Sequence, residues 1–340
     1  MKKQMENDKN KIQSKVDEPD KLIEVTALAK SFEDVRAVNG ITFTVGKGEI
    51  FGFLGPNGAG KTTTINMLTG LARADSGSIH IAGFDTSRHP LSVQHLIGVV
   101  PDESNLYPEL TGFDNLCFCA SLYGVPKKER RERAGELLRD FGLEEAGSRK
   151  FSTYSKGMKR KLTIAAGIIH RPQILFLDEP TTGIDVASAR QIRRLISSLY
   201  NEGTTIFLTT HYIEEAERLC QRIAFIVNGR IVQNDTVANL LQPIKDQKVL
   251  RITVTNSGGD LSGKLEKAFP ELEFRDESDN QILVHSRDTI SIGPVVRFIE
   301  EQGAEVTEAR QLKPSLEDVF VRLTGIEPEL MKKEKNGGLQ

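Results

Sequence analysis

The stretch Gly55-Pro56-Asn57-Gly58-Ala59-Gly60-Lys61-Thr62-Thr63 sets a glycine-rich loop ahead of a lysine and two hydroxyls. It fits G-x-x-x-x-G-K-[ST], with Gly55, Gly60, Lys61 and Thr62 at the fixed positions. Glycines let backbone N–H groups converge on phosphate oxygens, and a helix starting there adds the positive end of its dipole. Lys61 is expected to reach the β- and γ-phosphates of a nucleoside triphosphate, and Thr62 to ligate Mg²⁺. A second polar pair, Asp178-Glu179, follows the apolar run 174–177. Asp178 is suited to hold the Mg²⁺, and Glu179 to polarise an attacking water as general base. His211 follows the run 204–210 and can hydrogen-bond the γ-phosphate or that water. A last candidate is Tyr154-Ser155-Lys156-Gly157-Met158-Lys159-Arg160-Lys161. Ser155, the Gly157 amide and a helix start would form a second anion site there. The same residues also read as a capped helix with a solvated basic first turn. Two incomplete phosphate sites on one chain would invite a head-to-tail dimer.

Such residues need strands and helices to place them. The run Ile50-Phe51-Gly52-Phe53-Leu54 reads as a buried strand before the glycine loop, and Thr64-Ile65-Asn66-Met67-Leu68 as a helix after it. Further strands are expected at 22–26, 41–45, 78–81, 97–100, 174–177, 205–209 and 223–227. Several are two-sided apolar runs of the kind a parallel sheet buries on both faces, with ligands at their C-terminal ends. Between 105 and 171 the strand signal stops. Thr111 can cap one helix, 127–141 is amphipathic and ends at Gly142, and Ser155 can cap a third over 156–169. After Pro243 a βαββαβ-like order suggests a small α+β domain. Leu316, Val319, Phe320 and Leu323 there share one helix face. The expected organisation is a charged, disordered extension at 1–20, an α/β domain at 21–243 with a helical subdomain at about 105–171, an accessory domain at 244–326 and a tail at 327–340.

Composition excludes several classes. Among 340 residues, 45 Lys and Arg stand against 47 Asp and Glu, so no basic excess asks for nucleic acid. Cys117, Cys119 and Cys220 do not make a disulfide framework, and no His/Cys cluster joins them to make a metal site. No apolar run reaches the roughly eighteen residues of a membrane span, and residues 1–8 lack the apolar core of a signal peptide.

The order of these motifs carries a resemblance. Phosphate loop, Ser155-Lys156-Gly157-Met158, Asp178-Glu179, Gly183-Ile184-Asp185 and His211 together resemble the ATP-binding subunit of ABC transporters over residues 22–242. The resemblance implies a P-loop ABC ATPase fold, with ATP and Mg²⁺ held in a sandwich dimer of two such subunits. Lys61 and Thr62 would act from one subunit, and the signature residues Ser155, Lys156, Gly157 and Met158 in trans from the other. Asp185 matches the family's inter-subunit loop, and Phe32 the aromatic that stacks on adenine, although Phe32 also reads as an ordinary core residue. Two departures stand out. Asp102 occupies the place where the family usually carries the Mg²⁺-sensing Gln, and Tyr154, Lys156 and Met158 replace the common Leu, Gly and Gln. Asp102 could still ligate the metal. Residues 315–325 resemble the end of the C-terminal domain of drug- and sodium-exporter ATPases. The implied partners are a transmembrane permease and a second ATPase subunit at the cytoplasmic face of the membrane, with no nucleic acid; the alternative is a soluble ABC-type ATPase of DNA or translation processes.

Overall fold

The computed structural model describes residues 21–244, 248–255, 261–278, 280–286, 288–312 and 315–326. The expected extension at 1–20 and tail at 327–340 lie outside these. The chain divides into two compact units, one running to Thr236 and the other spanning Val237–Gly325.

In chain order the first unit contains β1 (Lys21–Phe32), β2 (Val35–Gly46), β3 (Ile50–Leu54), α1 (Lys61–Leu68), β4 (Ser76–Ile81), β5 (Phe84–Asp85), α2 (Pro90–Leu96) and β6 (Ile97–Val100). It continues with α3 (Gly112–Leu122), α4 (Lys127–Asp140), α5 (Lys156–Ile168), β7 (Ile174–Asp178), α6 (Val186–Asn201), β8 (Thr205–Thr210), α7 (Ile213–Leu219), β9 (Arg222–Val227) and β10 (Arg230–Thr236). Six strands form one sheet in the order β10-β9-β3-β8-β7-β6, parallel except for β10. β3, β7 and β8 are buried along their whole length, as their two-sided apolar runs require. The other sheet is antiparallel, in the order β2-β1-β4-β5. Its strands β1 and β2 extend well past the expected 22–26 and 41–45. The alternation that marks β1 breaks where its register shifts between Val25 and Leu28, with Ala27 at φ 47°, so one strand reads as a short one.

Phenylalanines join the two sheets. Phe51, Phe207 and Phe176 stand in register across β3, β8 and β7. Phe43 of β2 stacks on Phe51 with ring centroids 5.6 Å apart and also meets Phe53 and Phe207. Burying each ring contributes roughly 1.5–3 kcal/mol, so this cluster anchors the strands that carry the site. Thr111 and Ser155 cap α3 and α5 through their hydroxyls, and α3, α4 and α5 form the helical block between β6 and β7.

The second unit holds α8 (Val237–Leu241), β11 (Lys248–Thr255), α9 (Leu261–Ala268), β12 (Glu273–Ser278), β13 (Gln281–Ser286), α10 (Ile292–Glu301), β14 (Glu305–Leu312) and α11 (Leu316–Thr324). Its antiparallel sheet runs β12-β13-β11-β14, with Leu250, Ile252 and Val254 packed against Leu265, Val295 and Ile299. A capping box of Ser315 and Asp318 starts α11, which buries Leu316, Val319 and Phe320 but leaves Leu323 45 % exposed.

One contact fixes how closely α5 lies on the sheet. A Cβ on Gly98 of β6 would stand 2.0 Å from the Gly167 carbonyl oxygen of α5, so strand and helix meet backbone to backbone. Gly98→Ala forces α5 off β6 and is expected to lower unfolding free energy by about 2–3 kcal/mol in urea denaturation.

Candidate nucleotide site

The glycine loop leaves β3 at Gly55 and enters α1 through Gly60, whose φ of +106° disfavours any side chain. A Cβ on Gly60 would also lie 2.4 Å from the Ala37 carbonyl oxygen. No side chain caps α1, so its first amides keep their donors for an anion. Around the loop Ala59 is buried, Pro56 and Asn57 are half-buried, Gly58 and Thr62 are exposed, and Thr63 is half-buried. Lys61, 6 % exposed, donates to the Gly55 carbonyl at 2.8 Å and lies 3.2 Å from Glu179 Oε1.

Glu179 stands just past β7 with φ at 47°, in the left-handed region. That turn separates two adjacent carboxylates. Asp178 Oδ1 accepts the Thr209 hydroxyl from the neighbouring strand, while Glu179 Oε2 accepts His211 Nδ1 at 2.9 Å and the Thr182 hydroxyl at 3.0 Å. The Glu179 N–H is held by the Thr209 carbonyl and hydroxyl oxygens, each at 3.2 Å. Burial alone would raise the Glu179 carboxyl, but the His211 hydrogen bond and the Lys61 and His211 charges outweigh it and keep the group below its ordinary value. An ionised Glu179 only accepts, so His211 Nδ1 is the donor in that contact. Lys61, Glu179 and His211 are thus brought together, with Asp178 beside them.

The signature residues sit in another neighbourhood. Ser155 and Lys156 are exposed, Gly157 is buried and Met158 half-buried. A Cβ on Gly157 would lie 2.3 Å from Ser188 Oγ, and Ser188 N–H is itself bonded by Asp185 Oδ1 at 2.9 Å. Asp185 therefore caps α6 beside the start of α5, and its hydrogen bonds to Ser188 hold its carboxyl low. Phe32 is 52 % exposed at the end of β1, with the Lys30 ammonium 5.4 Å from its ring centre and Lys30 paired to Asp75 at 2.8 Å. That exposure removes the core-packing reading of Phe32.

Three polar groups escaped the sequence reading. Arg160, in a segment read either as an anion site or as a solvated basic turn, is 6 % exposed and donates to the backbone carbonyls of Pro101, Asp178 and Glu179. Its Nη2 lies 3.4 Å from Asp102 Oδ1. Burial raises the Asp102 carboxyl, Arg160 opposes that, and Asp178 and Glu179 add to it. Thr209 reads as one more residue of a buried strand, yet its hydroxyl serves both Asp178 and Glu179. Glu215, 4 % exposed on α7, accepts the Thr181 hydroxyl at 2.7 Å and the Thr210 hydroxyl at 3.2 Å. It ties the segment after Glu179 to the segment before His211.

Among the described residues no group of three or more His, Cys, Asp or Glu is placed to hold a metal alone. An ion here must complete its shell with phosphate and water oxygens, which is how Mg²⁺ is bound with nucleotides. The Thr62 hydroxyl and Asp178 carboxylate are hard oxygen donors, so they fit that ion.

A glycine loop at the end of a parallel strand, a lysine inside it and a paired carboxylate across the sheet define a nucleoside-triphosphate-hydrolysing fold. A family profile described as ABC transporter matches residues 38–182. The chain is 35 % identical over 314 residues to the linearmycin resistance ATP-binding protein LnrL of Bacillus subtilis (strain 168), covering 89 % of this chain and 98 % of that protein. It is 35 % identical over 307 residues to the Nod factor export ATP-binding protein I of Ralstonia nicotianae, covering 90 % and 94 %. Among solved structures, the dimeric ATP-binding cassette MJ0796 bound to ADP and Pi matches with a TM-score of 0.58 and 25 % identity, covering 63 % of this chain and 98 % of that one. The chain belongs to the ABC transporter ATP-binding proteins and is an ATPase of that family.

Burial raises the Glu215 carboxyl above its ordinary value of 4.5, against the two threonine hydrogen bonds. The folded chain then holds this proton more tightly than the unfolded one, so the contribution is complete at low pH and is lost as pH rises. Urea denaturation is expected to show the native protein losing stability relative to Glu215→Gln as pH rises above the ordinary carboxyl value of 4.5.

Proposed function

We propose that this chain is the ATP-hydrolysing subunit of an exporter, working as a head-to-tail pair against a separate transmembrane permease at the cytoplasmic face of the membrane. What carries the hydrolytic part is the Glu179 carboxylate, held ionised between Lys61 and His211 at the mouth of the glycine loop. Lys61 would leave the Gly55 carbonyl for the β- and γ-phosphates, and the loop and α1 amides would take the remaining oxygens. Glu179 would accept the proton of the attacking water, while His211 orients that carboxylate and meets the terminal phosphate through Nε2. Thr62 and Asp178 would hold Mg²⁺, which when bound supplies neutralisation of phosphate charge. Phe32 would stack on adenine with its exposed ring face.

Support for the pair comes from the dimeric MJ0796 cassette and from the exposed Ser155 and Lys156, available to a second copy. Support for export comes from the Nod factor export relative, and the resistance named for LnrL is consistent with it. No helix among the described residues is long and apolar enough to cross a membrane, so transport needs a partner that does. Its docking place would be the stretch 106–124, where Tyr107 is 52 % exposed and Leu122 is 68 % exposed.

Glu179→Gln is expected to cut steady-state ATP hydrolysis by about 10²-fold or more while ATP-induced dimers persist in size-exclusion chromatography. Monomers in saturating ATP would count against the paired arrangement. Affinity purification of that variant from detergent-solubilised membranes, with ATP and Mg²⁺, is expected to recover a polytopic membrane protein; recovery of ribosomes or DNA-bound factors would favour the soluble ATPase instead. Phe32→Ala is expected to weaken ATP binding by about 1–2 kcal/mol in equilibrium titration, with little change in kcat.

A further inference from the structure

Arg160 reaches the catalytic end of the sheet through backbone carbonyls and one facing carboxylate. It stands one turn into α5, and its guanidinium donates to the Pro101 carbonyl after β6 and to the Asp178 and Glu179 carbonyls at the end of β7. The contact to Asp178 is 3.2 Å, and the nearest opposite charge is Asp102 Oδ1 at 3.4 Å. Glu179 is thereby gripped on both sides. Thr209 holds its N–H, and Arg160 holds its carbonyl. Its left-handed backbone is of the kind that persists only when its surroundings over-determine it.

We propose that Arg160 is a positioning residue for ATP hydrolysis, which locks the Glu179 backbone in the turn that aims its carboxylate at Lys61 and His211, with Asp102 as the counter-charge that seats it. This rests on Glu179 acting as the base. Only arginine suits the place. Its planar fork offers five donors and serves several carbonyls at once, whereas a lysine ammonium is a single point of charge. A guanidinium buried against neutral carbonyls also needs an anion nearby. That requirement accounts for an acid at 102, where the family usually carries Gln. Because Arg160 rides on the helix that Ser155 caps, a displacement of that helix start would be felt at Glu179.

The test uses the full chain as Arg160→Lys, Asp102→Asn and the double variant. Steady-state ATPase kinetics, equilibrium binding of a fluorescent ATP analogue, Mg²⁺ titration, thermal unfolding and amide hydrogen exchange are measured on each. Arg160→Lys is expected to lower kcat at least about tenfold with nucleotide affinity held within about threefold, since only the transition-state arrangement is lost. Asp102→Asn is expected to lower kcat about three- to tenfold at an unchanged Mg²⁺ requirement, and the double variant to be no worse than Arg160→Lys, because the two act through one contact. A native kcat in Arg160→Lys, a parallel loss of kcat and affinity, or additive effects in the double variant overturns the proposal. Should Arg160→Lys fail to fold, Asp102→Asn decides. A lower kcat with unchanged affinity and Mg²⁺ requirement supports the seating role, whereas an unchanged kcat or a raised Mg²⁺ requirement overturns it. Hydrogen exchange separates this proposal from the ATPase reading itself. Faster exchange at residues 179–182 in Arg160→Lys, or in Asp102→Asn where only that variant folds, is expected even if the native chain shows no turnover, and unchanged exchange overturns the positioning role.

Discussion

A carboxylate that is 8 % exposed, at the C-terminal end of a parallel strand, survives as an anion only where compensating charge and donors surround it. Glu179 has Lys61 on one oxygen and His211 and Thr182 on the other. Remove either partner and the cost of the buried charge returns. The loop that carries Lys61 and the strand that delivers His211 are therefore bound to β7 by electrostatics as well as by the sheet ladder. Lys61 is shared with the Gly55 carbonyl, so the same ammonium that stabilises Glu179 is the group a phosphate would compete for. With Lys61 as the phosphate ligand, nucleotide binding and the ionisation of Glu179 would be coupled through one nitrogen.

Much of this was legible before any coordinates, because local chemistry and fold agree in it. Gly60 precedes a helix and Ile174–Leu177 is apolar on both faces, so the glycine loop and the Asp178-Glu179 pair announce their own setting. Helix caps at Thr111 and Ser155 were also readable, since an N-cap depends on a few neighbouring residues. What escaped is what depends on distant parts of the chain. Arg160 sits in a run of basic residues whose other members are not fully buried, and only the packing of α5 on β6 turns it inward. Thr209 and Glu215 carry no pattern that separates a hydroxyl or carboxyl with a partner across the sheet from one facing water. The long β1–β2 hairpin hid behind register shifts that broke its alternation.

Phe32 shows the converse case. Its sequence surroundings favoured ligand stacking but left core packing open, and exposure separates them. The side chain does not join the phenylalanine cluster of the two sheets; it lies at a strand end under Lys30, itself anchored by Asp75. An aromatic ring left open next to a cation is unfavourable as packing and apt for an aromatic, anionic ligand.

Gly98 and Gly167 have a mechanical consequence. Most helices rest on sheets through side chains, which can change rotamer and absorb small displacements. Here the α5 backbone bears directly on the β6 backbone, with no cushion between them at that point. The contact behaves as a stiff fulcrum. A displacement of the Ser155 end of α5 would meet no side-chain rearrangement to absorb it at that point.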